Sequence, residues 1–109
     1  MIDLIQQRLD AVAEACRQFG VSRLEVFGSA VRSDFDSKTS DLDFIATFLP
    51  PLHPGVLDRF FGLEAALEKI FSRRVDLVTS AMLRNPVLRS EVNRERTLVY
   101  DYGDQEKAA

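Results

Sequence analysis

From Ile2 to Phe19 the apolar residues Leu4, Ile5, Leu9, Val12, Ala13, Cys16 and Phe19 recur at helical spacing, and Gly20 follows as a natural stop. The spacing predicts one amphipathic helix over residues 2–19. In SRLEVFGS, residues 22–29, Leu24 and Val26 alternate with Arg23 and Glu25, the period of a strand that runs into a tight Gly28-Ser29 turn. Residues 29–34 suit a short helix, FDSKTS reads as an exposed loop, and residues 41–48 form a second strand. Three of the four prolines fall in LPPLHPG, a rigid connector that interrupts regular structure. Beyond it, Leu57, Phe60, Phe61, Ala65, Leu67, Ile70 and Phe71 mark a helix over 56–71. RRVDLVTS reads as a third strand, and Asn85-Pro86 opens a helix with Val87, Leu88 and Val92 on its apolar side. TLVY reads as a short fourth strand. Strands separated by helices indicate an α/β (α+β) fold, a small sheet covered by helices. The expected organisation is one domain over residues 1–102 and a frayed polar tail, 103–109.

The strand SDLDFIATF carries a feature that folding does not ask for. Asp41 and Asp43 are two residues apart and so share a face about 6–7 Å apart. At an effective dielectric near 20 they repel by roughly 2–3 kcal/mol. Carboxylates clustered in this way bind hard divalent cations, and a bound cation turns the repulsion into affinity. Gly28 lets backbone approach a ligand closely, and Ser29 adds a hydroxyl beside the amides that open the next turn, a combination that can hold a phosphate. Asp76, between Val75 and Leu77, would complete a carboxylate trio if the first three strands are neighbours. Asp34 and Asp36 sit in the polar loop and read as a solvated turn.

Composition narrows the setting. Fourteen Lys and Arg against 17 Asp and Glu give a net charge of −3, which argues against a general nucleic-acid coat or a membrane-surface protein. Residues 69–96 run the other way: seven basic residues (Lys69, Arg73, Arg74, Arg84, Arg89, Arg94, Arg96) stand against three acidic ones, which could receive a nucleotide or acidic partner but more readily reads as a solvated helix face. The single cysteine, Cys16, lies on the apolar side of the first helix and reads as buried and inert. His53, alone in the proline-rich connector, reads as exposed. No basic leader precedes an apolar run and no stretch approaches a membrane span, so the expected location is the cytoplasm.

The order of motifs is more specific than any one of them. GSAVRSDF, then SDLDF at the head of an apolar strand, then RVDLV resembles the signature of the polymerase-beta-like nucleotidyltransferase superfamily. Within it the short length is most similar to the minimal nucleotidyltransferase (MNT) proteins, antitoxins typically encoded beside a HEPN-domain toxin. The resemblance implies the polymerase-beta-like fold, with a mixed sheet. It implies that Gly28, Ser29 and Arg32 bind the triphosphate of ATP, and that Asp41, Asp43 and Asp76 hold Mg²⁺, two ions in all, with Asp76 assisting or acting as base. The implied reaction moves AMP from ATP to a hydroxyl of the HEPN toxin, a tyrosine by expectation. Two alternatives stay open: an antitoxin that only binds its toxin, and an enzyme that modifies a small molecule such as an aminoglycoside. Ser33, where many relatives have glycine, and a slightly longer loop before Asp41 depart from the family pattern. No direct contact with nucleic acid or membrane is expected, and a homodimer or hetero-oligomer is left open.

Overall fold

The opening amphipathic pattern folds as two helices in the computed structural model, which describes residues 2–32, 36 and 40–103. Helix α1 (Asp3–Gln6) ends where the Arg8 amide donates to the Ile5 carbonyl, three residues back, at 3.0 Å; α2 (Leu9–Gln18) then restarts the ladder. That tightened turn breaks the expected continuous helix. Nothing in the side-chain spacing marks it, because Ile5, Val12 and Cys16 remain buried on both sides of the break. Gly20, at φ +66°, turns the chain out of α2 as expected.

The sheet contains β1 (Val21–Phe27), β2 (Leu42–Phe48), β3 (Val75–Val78) and β4 (Thr97–Asp101), in the order β3-β2-β1-β4. Strand β1 runs antiparallel to both β2 and β4, whereas β2 and β3 are parallel. A parallel pair needs a crossover, and α3 (Val56–Phe71) supplies it. The result is the mixed α+β sheet that the sequence predicts.

Helices α2 and α3 cover one face, over Leu24, Leu42, Phe44 and Leu77, and the rings of Phe44 and Phe71 stack with centroids 5.9 Å apart. Cys16 is buried in this layer, and burial pushes its thiol up to about 12, so it is inert at neutral pH. The second face meets α4 (Pro86–Glu95), which begins as expected: the Asn85 side chain accepts from the amides of Val87 (2.9 Å) and Leu88 (3.3 Å). Its apolar contribution is narrower than its sequence suggests. Val92 packs with Ile45 and Leu83, while Val87 and Leu88 are exposed. A helix that crosses a sheet near one end buries only the part of its apolar stripe that lies over the strands. For the same reason Leu57 and Phe61 of α3 are exposed instead of joining the core. The predicted helix after the Gly-Ser turn is a single 3-10 turn, Gly28–Ala30. The expected frayed tail lies outside the described residues apart from Gly103. No helix among the described residues is long and apolar enough to cross a membrane.

Candidate functional site

The end of β1 and the start of β2 face each other, with Phe27 opposite Asp43, so the turn that leaves β1 lies directly against the carboxylates. Gly28 is buried there at φ +77°. A Cβ at this position would collide with the Asp43 carboxylate, so both backbone conformation and space demand glycine. The Gly28 carbonyl accepts from the amides of Val31 (3.0 Å) and Arg32 (3.3 Å), which closes the turn. Ser29, partly exposed, contributes no amide or hydroxyl hydrogen bond among the described residues, leaving its donors available at the mouth of the turn.

Parallel pairing then brings in the third acid. Asp43 and Asp76 are register partners on β2 and β3. Residues paired in this way on adjacent strands project to the same face. Asp43 is pushed up from 3.8 to about 6. Burial is the largest cause, followed by interaction with Asp76 and the charge of Asp41; Arg32 acts in the opposite direction. Carboxylates this close repel, which favours a proton on one of them. A divalent cation can replace that proton and relieve the same repulsion, which is the sense in which the pair fits a metal. Asp41 sits to one side, half exposed. The Nε of Arg74 is 3.9 Å from Asp41 Oδ2 and 3.9 Å from Asp76 Oδ1. Among the described residues no three acidic, histidine or cysteine side chains converge tightly enough to enclose an ion; the paired acids are Asp43 and Asp76, with Asp41 two residues before Asp43.

Other sequence candidates fall elsewhere. Asp34 lies outside the described residues, as does Ser33, and the Asp36 amide donates to Ser40 Oγ at 2.9 Å within the loop. His53 is exposed. The basic excess of residues 69–96 is partly internal: Arg73 donates to the Ser40 carbonyl at 3.2 Å, and Arg96 binds the buried Glu25 carboxylate through two bonds of 2.6 and 2.9 Å. Arg84, Arg89 and Arg94 are exposed. One residue of the site went unsuspected in the sequence. Glu95, the last residue of α4, accepts from the Gly28 amide (3.1 Å) and from Arg32 (2.7 Å). It is separated from Gly28 by 67 residues, and no local pattern distinguishes it from other helix glutamates.

A cavity of about 500 Å³, walled by Phe48, Leu57, Phe60, Phe61 and Met82, opens at the far end of β2 from Asp43. Its lining is mostly apolar and carries none of the carboxylates, which lie at the Gly28–Asp43–Asp76 end.

Comparison with known proteins identifies the family and the fold. The nucleotidyltransferase domain model matches residues 9–99. Protein adenylyltransferase MntA of Thermococcus cleftensis is 34% identical over 87 residues, which cover 80% of this chain and 81% of that protein. The solved structure of a proposed minimal nucleotidyltransferase superposes with a TM-score of 0.68 at 36% identity, over 88% of this chain and 95% of that one. An MNT antitoxin solved in complex with a tri-AMPylated HEPN toxin of Shewanella oneidensis matches 95% of this chain and 78% of its own, with a TM-score of 0.60. At 16% identity it shares the fold.

Proposed function

Because this chain belongs to the nucleotidyltransferase domain family, we propose that it transfers AMP from ATP, with Mg²⁺, to a tyrosine hydroxyl of a HEPN toxin in the cytoplasm and thereby acts as an antitoxin. The observation that carries this reading is the pairing of Asp43 with Asp76 on adjacent strands beside a glycine turn. The names of the relatives, a protein adenylyltransferase and an MNT antitoxin found with an AMPylated toxin, support the acceptor class.

In the reaction, the acceptor oxygen bonds to the α-phosphorus while the bond from that phosphorus to the β-bridging oxygen breaks, and pyrophosphate leaves. The acceptor proton passes to a site carboxylate, a role that the greater exposure of Asp76 relative to Asp43 favours. Asp43 and Asp76, with Asp41, would hold the cation, which when bound supplies positive charge against the phosphates and lowers the pKa of the acceptor hydroxyl. The Ser29 amide and hydroxyl would receive phosphate oxygens, and Arg32 adds charge at the same edge. The half-buried position of Asp43 strengthens each of these interactions relative to water.

The test incubates purified protein and HEPN toxin with ATP labelled at the α-phosphate and Mg²⁺. Label is expected on the toxin with wild type and is expected to vanish with Asp43→Asn. Undiminished transfer by that variant would sink the assignment. Protection of cells by a variant with alanine at positions 41, 43 and 76 would instead favour neutralisation by binding.

A further inference from the structure

The phosphate turn is braced from outside by the end of α4. Gly28 is buried, so its amide needs a partner, and a single 3-10 turn offers none upstream. Glu95 provides one with Oε2 while its Oε1 takes Arg32. One carboxylate therefore fixes both the backbone of the turn and the cation beside it.

We propose that Glu95 is a positioning residue that holds the Gly28–Ser29 turn and Arg32 in the geometry that receives the nucleotide phosphates; this rests on the nucleotidyltransferase reading of the site. The opposite role is conceivable on chemical grounds, since a carboxylate bound to an amide and a guanidinium resembles a phosphate on the same donors. The surroundings of Glu95 favour a brace. The next residue, Arg96, is clamped to the buried Glu25 of β1 by two hydrogen bonds and to Asn93 Oδ1 at 2.8 Å, and the Glu95 carbonyl accepts from Thr97 Oγ1 at 3.1 Å. With its backbone held at the end of α4, Glu95 presents its carboxylate to the turn from a fixed point. Among the described residues the donors left at the mouth of the turn belong to Ser29, to which Glu95 makes no hydrogen bond. Glu95 thus occupies the back of the turn and leaves the front open. Arg32, drawn toward Glu95, still lies close enough to Asp43 to counter its rise in pKa, so the brace also sets how the cation faces the carboxylates.

The experiment uses the full chain and its Glu95→Gln and Glu95→Ala variants, each shown to be folded by circular dichroism. Binding of a non-hydrolysable ATP analogue with Mg²⁺ is measured by calorimetry, and hydrogen exchange of the Gly28 amide is followed without nucleotide. The expected result is analogue affinity reduced by about tenfold in Glu95→Ala and by a smaller factor in Glu95→Gln, which keeps one acceptor. KM for ATP should rise in step while kcat at saturation changes by less than about threefold. Exchange at Gly28 should quicken in both. If Glu95→Ala fails to fold, Glu95→Gln carries the test alone. Affinity equal to or tighter than wild type in folded Glu95→Gln overturns the brace, and tighter binding identifies Glu95 as a competitor for phosphate. Failure of wild type itself to bind the analogue overturns the functional reading, and the proposal with it.

Discussion

Asp43→Asn should stabilise the metal-free protein at neutral pH while removing its chemistry. In the unfolded chain Asp43 titrates near 3.8 and in the fold near 6, so the folded state retains its proton across that window. The stability that Asp43 contributes is therefore whole below about pH 4 and is lost as pH rises through 6. A shift of this size corresponds to about 3 kcal/mol at 1.36 kcal/mol per unit, and solvent contact at a half-exposed carboxylate reduces it to roughly 1–2 kcal/mol. Asparagine keeps the shape and can donate to Asp76 without charge. Urea unfolding in EDTA at pH 7.5 should give Asp43→Asn an advantage of about 1–2 kcal/mol, several degrees in Tm for a chain of this size. The advantage should shrink to nothing near pH 4, where wild type is protonated as well. Added Mg²⁺ should narrow the gap at pH 7.5 by stabilising wild type and leaving the variant unchanged. A variant less stable than wild type in EDTA at pH 7.5, or an advantage that does not depend on pH, would refute the idea that repulsion and burial at Asp43 are held in the fold.

Two further substitutions probe the scaffold around the pair. Gly28→Ala places a methyl against the Asp43 carboxylate at a positive φ, and should cost about 2–3 kcal/mol in urea unfolding and weaken nucleotide binding beyond what the lost stability explains. Arg96→Ala leaves the Glu25 carboxylate buried without its partner, and should cost about 3–5 kcal/mol at neutral pH; the double variant Glu25→Gln/Arg96→Ala should recover part of that loss in the same assay.

Much of the site can be read from the sequence because its parts are local or periodic. The Gly28-Ser29 turn, the Asp41-Leu42-Asp43 alternation and the position of Asp76 in an apolar run each follow from short-range rules, and parallel pairing of β2 with β3 puts Asp43 and Asp76 side by side. The break between α1 and α2 is different, because the apolar positions on either side remain in phase and only a backbone bond at Arg8 differs. Exposure of Val87, Leu88, Leu57 and Phe61 is also hidden, since periodicity reports which side of a helix is apolar and not how far the neighbouring layer extends. Glu95 is hardest of all. Its role exists only through two contacts made across more than 60 residues of chain, and its sequence surroundings, NRERT, are those of an ordinary solvated helix end.

The energetics also separate a working enzyme from a protein that merely covers its partner. The fold places Asp43 beside Asp76, with Asp41 near enough to add to the repulsion, and half buries the one that feels it most. Arg74 answers weakly, at 3.9 Å and largely exposed to water, where such pairs contribute about 0–1 kcal/mol. A binding surface gains nothing from this arrangement: uncharged residues at 43 and 76 would give the same strands and the same helices with more stability. Gly28 adds to the cost, because its conformation and its contact with Asp43 serve no packing purpose that a longer side chain and a shifted turn could not meet. The two costs meet at a single point, where the end of β1 faces the start of β2, and the proposed cation with a nucleotide phosphate would offset both at once.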